Sequence, residues 1–298
     1  MKRKVALVLA SGGARGLAHI GAIEELESRG YEITSLAGCS IGALIGGIYA
    51  AGKLEEGKKW FLSLDKQKIL SLGDFSLSKN YLVKGDKTVN AFKEIVPDCQ
   101  MEDLPIPVSL VASDVIHNKE VVIETGSLFD AVRASVSIPL FFRPVQKDDM
   151  LLVDGGILNA CPLNRVHRTE GDVLAAMNIS APDSLAIEHP KPLLSDDFID
   201  RLPDFIADKI HNIAVEKQKH ERLSDSVTYA SLLSRMTDIM IQNNTVLMNK
   251  LVHCDILAEM PMNQYPTFAF DKAEEIIEHG RRLMREAINR YEESQLTK

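Results

Sequence analysis

One serine of this chain lies in a pattern that is typical of catalytic nucleophiles. Ser40 stands at the centre of Gly38-Cys39-Ser40-Ile41-Gly42, which matches G-x-S-x-G. Flanking glycines permit the tight turn that exposes such a hydroxyl, and the positive end of a following helix favours its alkoxide. A serine that merely caps a helix after a glycine turn would look the same. The predicted strand before Ser40 and the predicted helix after it favour the nucleophile, whose chemistry would be acyl transfer.

A second glycine-rich turn, Ser11-Gly12-Gly13-Ala14-Arg15-Gly16, follows the first predicted strand. Backbone without side chains can turn N–H groups toward an anion, either a dinucleotide pyrophosphate or the oxyanion of an acyl-transfer intermediate. The dinucleotide fingerprint begins with glycine, whereas this turn begins with Ser11, and the second strand ends in the serine turn rather than in a ribose-binding acid. We therefore predict an oxyanion site made by four backbone amides, those of Gly12, Gly13, Ala14 and Arg15.

The proton of a nucleophilic serine needs a base, and Asp154 in Asp154-Gly155-Gly156 is a candidate. It follows the predicted strand 151–153, at the end of the sheet where α/β active sites form. A carboxylate can accept the serine proton when a dry pocket raises its basicity. An Asp-Gly turn at a strand end is also a common structural feature, so Asp154 gains weight only together with the two glycine motifs.

Histidine is the alternative base, because α/β-hydrolases carry the histidine after the acid in chain order. Order alone permits His167, His189, His211, His220, His253 and His279. None of these stands in a recognisable catalytic context. We expect His19 to pack or hydrogen-bond near the first glycine turn. The Arg15 side chain could orient that turn or bind a lipid phosphate, although a charge in a glycine turn is more often simply exposed.

Alternating strands and helices must position these motifs. Continuous apolar runs predict strands buried on both faces of a parallel sheet. Strands are predicted at residues 5–10, 33–37, 108–112, 120–123, 151–153, 173–178 and 252–257. Helices are predicted at residues 17–28, 41–49, 129–135 and 272–293, with long helical segments over 204–249. The alternation predicts a three-layer α/β/α fold with a mostly parallel central sheet and a helical insertion.

Length, charge and cysteine usage limit the remaining possibilities. We predict one domain over residues 1–298, with a motif-bearing core (5–179), a helical insertion (195–249) and a closing strand and helix (250–293). The formal net charge of −8 argues against nucleic acid as a partner. Four scattered cysteines indicate neither a zinc site nor a disulfide framework, which favours the cytoplasm. No apolar stretch is long enough to span a bilayer, so membrane contact would be peripheral, at the inner face.

Taken in order, S-G-G-A-R-G, G-C-S-I-G and D-G-G resemble the oxyanion loop, nucleophile elbow and dyad aspartate of patatin-like phospholipases. The family's usual sequence between those motifs is similar to two further segments of this chain. They are Gly16-Leu17-Ala18-His19-Ile20-Gly21 and Ala134-Ser135-Val136-Ser137-Ile138-Pro139, with Pro144 following. The likeness covers residues 5–179 and 255–287. It implies a dyad of Ser40 and Asp154 instead of a triad, no metal or other cofactor, and hydrolysis of acyl esters in lipids.

Three residues depart from the family's pattern. Ser11 replaces the usual first glycine, Cys39 stands where threonine is common, and Ile41 stands where a small residue is common. Ser11 could narrow the oxyanion loop and Ile41 could crowd the elbow, but neither change removes a catalytic group.

The expected function is that of a cytoplasmic serine hydrolase of the phospholipase or lysophospholipase type, with a lipid acyl ester as its partner. Five glycines are expected to support the motifs: Gly16, Gly38, Gly42, Gly155 and Gly156. Two other functions stay open. One is a lipid- or acyl-binding regulatory protein with little turnover, and the other is a Ser-His-Asp carboxylesterase.

Overall fold

A computed structural model describes residues 3–72, 83–139, 141–183 and 229–296. The strands of the described ranges are β1 Arg3–Leu9, β2 Tyr31–Cys39, β3 Val108–Asp114, β4 Lys119–Ile123, β5 Val145–Lys147, β6 Met150–Asp154, β7 Val173–Ala181 and β8 Ile256–Pro261. The α-helices are α1 Ala18–Ser28, α2 Ile41–Ala50, α3 Leu54–Leu62, α4 Lys66–Leu72, α5 Asp86–Ile95, α6 Leu128–Ser135, α7 Gly156–Asn159, α8 Tyr229–Leu251 and α9 Ala273–Leu296.

The eight strands form one sheet in the order β5-β6-β3-β2-β1-β7-β8, with β4 also paired to β3. Pairings from β3 through β2, β1 and β7 to β8 are parallel, whereas β4, β5 and β6 join by antiparallel pairings. In β1, residues 5–9 are fully buried, as expected for a central strand covered on both faces. The fold is the three-layer α/β/α type that the alternation of elements predicted.

Helices cover this sheet and connect its strands. Helix α1 packs against α9, which also packs against β8, while α2 packs against β2 and α6 against β3. Helix α8 packs against β7 and α7. Within the described ranges, no helix is both long and apolar enough to cross a membrane.

Strands β2 and β6 meet end to end along one edge of β3. On that edge, Val111 pairs with Cys39 of β2 and Ala112 pairs with Asp154 of β6. On the opposite edge, both residues pair with β4. Since β2 is parallel to β3 and β6 is antiparallel, the carboxyl ends of β2 and β6 face each other. Consecutive residues of β3 therefore bring the residue before Ser40 next to Asp154.

Several elements differ from the predictions, most clearly near the end of the chain. The last strand is Ile256–Pro261 rather than 252–257, because α8 continues to Leu251 and a short link precedes the strand. The three-residue strand β5 was not predicted, since Val145-Gln146-Lys147 has no apolar run. Of the predicted insertion 195–249, residues 195–228 lie outside the described residues, and the remainder belongs to α8.

Candidate active site

The side chains of Ser40 and Asp154 contact each other in a buried position. Ser40 Oγ donates a hydrogen bond to Asp154 Oδ2, and the two residues are only 3% and 5% exposed. The other carboxylate oxygen, Oδ1, accepts the Gly156 N–H at 2.8 Å and lies 3.9 Å from Cys39 Sγ. One oxygen of Asp154 thus faces the serine, while the backbone orients the other.

The environment of Asp154 makes its carboxylate more basic than usual. Burial raises its pKa from the ordinary 3.8 to about 6, although hydrogen bonds from Ser40, Gly156 and Cys39 act in the opposite direction. A general base works best when its pKa lies near the working pH. A carboxylate with a pKa of about 6 is ionised at neutral pH and still basic enough to share the serine proton.

The backbone of Ser40 adopts a conformation that non-glycine residues rarely take. Its φ is 55° and its ψ is −121°. Such a conformation costs on the order of 1–3 kcal/mol and tends to occur at functional sites, including the strand-to-helix turn of G-x-S-x-G hydrolases. The Ser40 carbonyl accepts the N–H groups of Ala43 and Leu44 at the start of α2, at 2.9 and 3.1 Å. The turn is thereby fixed to the helix that follows it.

The first glycine-rich turn leads into a 3-10 helix, Gly13–Leu17, and Arg15 anchors it. The Arg15 side chain is 2% exposed, donating from Nε to the Ile179 carbonyl at 3.1 Å and from Nη1 to the Tyr265 carbonyl at 2.8 Å. Burial lowers its pKa to about 10, so it stays charged at neutral pH. The interpretation of Arg15 as an exposed charge was wrong, because two buried carbonyls need its donors.

Two of the four predicted oxyanion donors already have backbone partners. The Ala14 N–H donates to the Thr267 carbonyl at 2.7 Å. In a 3-10 helix capped by Gly12, the amide of Arg15 is directed back to the Gly12 carbonyl, three residues earlier. The amides of Gly12 and Gly13, which precede them, remain as candidate oxyanion donors. Gly13 has a φ of 59°, which a residue without a side chain adopts at little cost.

The supporting glycines lie where segments of the site touch. A Cβ at Gly16 would stand 2.2 Å from side-chain carbons of Ile41, so Ile41 fills the space between the elbow and the first glycine turn. A Cβ at Gly156 would lie 2.9 Å from Ser11 Oγ and 3.1 Å from Asp154 Oδ1, which places Ser11 beside Asp154. Close backbone contacts also occur at Gly38 with the Gly42 carbonyl, at Gly42 with the Leu9 carbonyl and at Gly155 with the Val111 carbonyl.

The histidines of the described ranges have partners away from Ser40. His19 is buried beside the first glycine turn and contacts the Ala10 carbonyl through Nε2 at 2.8 Å; burial lowers its pKa to about 4. His167 contacts Glu124, His253 lies near Asp255, and His279 contacts the Tyr265 hydroxyl. His189, His211 and His220 lie outside the described residues. Within those ranges, no group of three or more His, Cys, Asp or Glu side chains could hold a metal ion.

Sequence reasoning missed the residues that hold the motifs in place. Ser135 accepts the Ser40 N–H at 2.9 Å and donates to the Val111 carbonyl at 2.6 Å. Thr267 and Tyr265 anchor the first glycine turn from about 250 residues further along the chain. The likeness of residues 134–139 to the family was a signal for Ser135, but no pattern marked the other two.

The residues of this site lie within the match to a known protein family. The family model of patatin-like phospholipases matches residues 7–167. That range includes both glycine turns, Ser40 and Asp154. The chain belongs to the patatin-like phospholipase family.

Similar curated proteins include members named for the NTE family and a protein named for a patatin-like phospholipase domain. An uncharacterized NTE family protein of Mycobacterium tuberculosis is 39% identical over 199 residues, covering 67% of this chain and 55% of the relative. Patatin-like phospholipase domain-containing protein 6 of Mus musculus is 32% identical over 185 residues, 60% of this chain and 14% of the mouse protein. The matched region thus spans about half of the mycobacterial relative. The crystal structure of VipD from Legionella pneumophila overlaps 97% of this chain and 67% of VipD, with a TM-score of 0.45 and 14% identity.

Proposed function

We propose that this protein hydrolyses acyl esters of lipids with Ser40 as nucleophile and Asp154 as its general base. One observation carries the proposal. The buried Ser40 hydroxyl donates to a carboxylate whose pKa is raised to about 6, so the proton acceptor and the nucleophile are already in contact. Membership of a family that acts on lipid esters supports a lipid substrate.

In the proposed reaction, Ser40 Oγ attacks the ester carbonyl while its proton passes to Asp154 Oδ2. The oxyanion of the tetrahedral intermediate accepts hydrogen bonds from the Gly12 and Gly13 amides. Each would stabilise the transition state by roughly 2.7–4 kcal/mol. Collapse of the intermediate breaks the ester bond, and Asp154 returns the proton to the leaving alcohol. Asp154 then takes a proton from a water molecule that attacks the acyl-serine. As the acyl–oxygen bond breaks and the fatty acid leaves, Asp154 passes this proton to Ser40 Oγ and the free dyad is restored.

The remaining parts of the proposal concern setting and organisation. We place the protein in the cytoplasm, with peripheral contact at the inner face of the membrane where its substrates would lie. We also treat residues 1–298 as one domain, with the closing segment 250–293 contributing to the site through Tyr265 and Thr267.

The test is hydrolysis of a chromogenic acyl ester by purified variants. Ser40→Ala and Asp154→Asn should each lower kcat at least about 10³-fold, because each removes a group that handles the transferred proton. Ser113→Ala is a matched control, since Ser113 is a buried serine of β3 whose hydroxyl has no partner among the described residues. Full activity of either dyad variant would rule out this mechanism.

The two other candidate functions give different results. If the protein is a regulatory lipid-binding protein, the wild type would bind lysophospholipid but would never react with a fluorophosphonate probe. A Ser-His-Asp carboxylesterase would lose turnover on substitution of one histidine, with His189, His211 and His220 as the first to test, yet keep it in Asp154→Asn.

A further inference from the structure

A side-chain hydroxyl extends the pairing of β2 with β3 beyond the last rung of the sheet. The pairing ends at Cys39 and Val111. At the next residue, Ser40, the chain turns away, and its N–H donates instead to Ser135 Oγ at 2.9 Å. Ser135 Oγ in turn donates to the Val111 carbonyl at 2.6 Å. The hydroxyl therefore fills the gap that the turn opens between Ser40 and β3.

Both hydrogen-bonding roles of this hydroxyl are fixed. A serine hydroxyl has one proton, which goes to Val111, and a lone pair that receives the Ser40 N–H. Ser135 is completely buried, so bulk water does not reach the site to replace it. Without the hydroxyl, a buried N–H and a buried carbonyl would both lose a partner, which is unfavourable.

The bridge also opposes relaxation of the strained nucleophile. Ser40 has a φ of 55°, and its carbonyl is held by the N–H groups of Ala43 and Leu44. With the carbonyl held, rotation of φ toward an ordinary value would carry the Ser40 N–H away from Ser135. The same segment holds the other member of the dyad, because the Ser137 carbonyl accepts the Asp154 N–H at 2.9 Å. The end of α6 thus fixes the backbone of both reacting groups over a span of three residues.

We propose that Ser135 is a positioning residue for the nucleophile: its hydroxyl holds the Ser40 backbone in the strained conformation that aims Oγ at Asp154. The catalytic consequence rests on the proposed hydrolase function, whereas the structural one does not. Among the hydrogen bonds of the described residues, Ser135 Oγ bonds to the backbone of Ser40 and Val111 rather than to Ser40 Oγ or the Asp154 carboxylate.

The kinetic experiment compares Ser135→Ala and Ser135→Thr with the Ser113→Ala control on a chromogenic acyl ester. Ser135→Ala should lower kcat about 30- to 100-fold with KM changed less than about threefold, since a misplaced nucleophile impairs the chemical step rather than binding. Ser135→Thr keeps a hydroxyl and should recover most of the loss, and Ser113→Ala should match the wild type. A kcat of Ser135→Ala within twofold of the wild type would overturn the proposal.

A thermal experiment tests the same idea without turnover. With Ser135 present, Ser40→Gly should melt about 2–4 °C above Ser40→Ala, because glycine adopts the strained conformation without its cost. In the Ser135→Ala background the backbone can relax, so this difference should disappear. An equal difference in both backgrounds would show that other contacts hold Ser40. If the wild type proved inactive on every ester, the proposed function would fail while this experiment still decided the role of Ser135.

Discussion

Replacing Asp154 by asparagine should make the protein more stable while abolishing its activity. The carboxylate is 5% exposed, and burial raises its pKa from 3.8 to about 6. Such a rise means that the folded state disfavours the ionised form by about 3 kcal/mol. Asparagine has nearly the same shape, can accept the Gly156 N–H and carries no charge. At pH 8 we expect Asp154→Asn to be more stable by up to about 3 kcal/mol, or about 6–12 °C in Tm.

The stability difference between the wild type and Asp154→Asn should depend on pH. Because the folded pKa of Asp154 is raised, the folded wild type holds the proton more tightly than the unfolded chain does. The destabilisation is therefore complete above about pH 6 and disappears as the pH falls from 6 toward 4. Urea unfolding of both proteins between pH 4 and pH 8 should show a gap that is largest at pH 8 and closes near pH 4.

Asp114→Asn is a control for which we expect the opposite change in stability. It lies on the neighbouring strand β3, and although burial acts to raise its pKa, hydrogen bonds from His117 and from the amides of Ile116 and Leu151 hold the pKa below its ordinary value. Asp114→Asn should therefore lose stability at neutral pH. If Asp154→Asn were no more stable than the wild type at pH 8, or if the gap did not change with pH, the reasoning about its environment would be refuted.

Three further predictions concern the same site. The kcat/KM for ester hydrolysis should fall about tenfold per pH unit below about pH 6, since a protonated Asp154 cannot accept the Ser40 proton; a profile that stays flat to pH 5 would contradict this. Arg15→Met should lower the free energy of unfolding, measured by urea titration, by about 2–5 kcal/mol because two buried carbonyls lose their donor. Arg29→Met is the control: Arg29 forms a surface pair with Glu292, and its loss should change the free energy of unfolding by less than about 1 kcal/mol. Gly16→Ala should cost about 1–3 kcal/mol through contact with Ile41, and adding Ile41→Ala should recover part of that loss; a harmless Gly16→Ala would disprove the close contact.

The family and the fold class could be predicted because their signals are local. The glycine turns, the G-x-S-x-G elbow and the apolar runs of β1 and β7 each occupy a few consecutive residues. The family match and the observed sheet confirm both predictions. The contact between Ser40 and Asp154 is present in the structure, while their catalytic roles stay predictions.

The supporting contacts could not be predicted because they join distant parts of the chain. Asp154 reaches Ser40 through an antiparallel strand that meets β2 end to end, whereas sequence reasoning placed it by the rule for parallel strands. Arg15 is buried because Ile179 and Tyr265 present carbonyls to it, and neither of those residues lies in a motif. A backbone carbonyl is available at every residue, so composition and spacing carry no information about which one accepts a hydrogen bond.

The anchoring of the first glycine turn has a consequence for how the protein is made. Residues 12–15 leave the ribosome before the carbonyls that hold them, which belong to residues 179, 265 and 267. A growing chain therefore carries Ser40 and Asp154 before the turn beside them can be fixed. The turn beside Ser40 is therefore fixed only after residue 267 has been made, when every strand of the described sheet has already been synthesised.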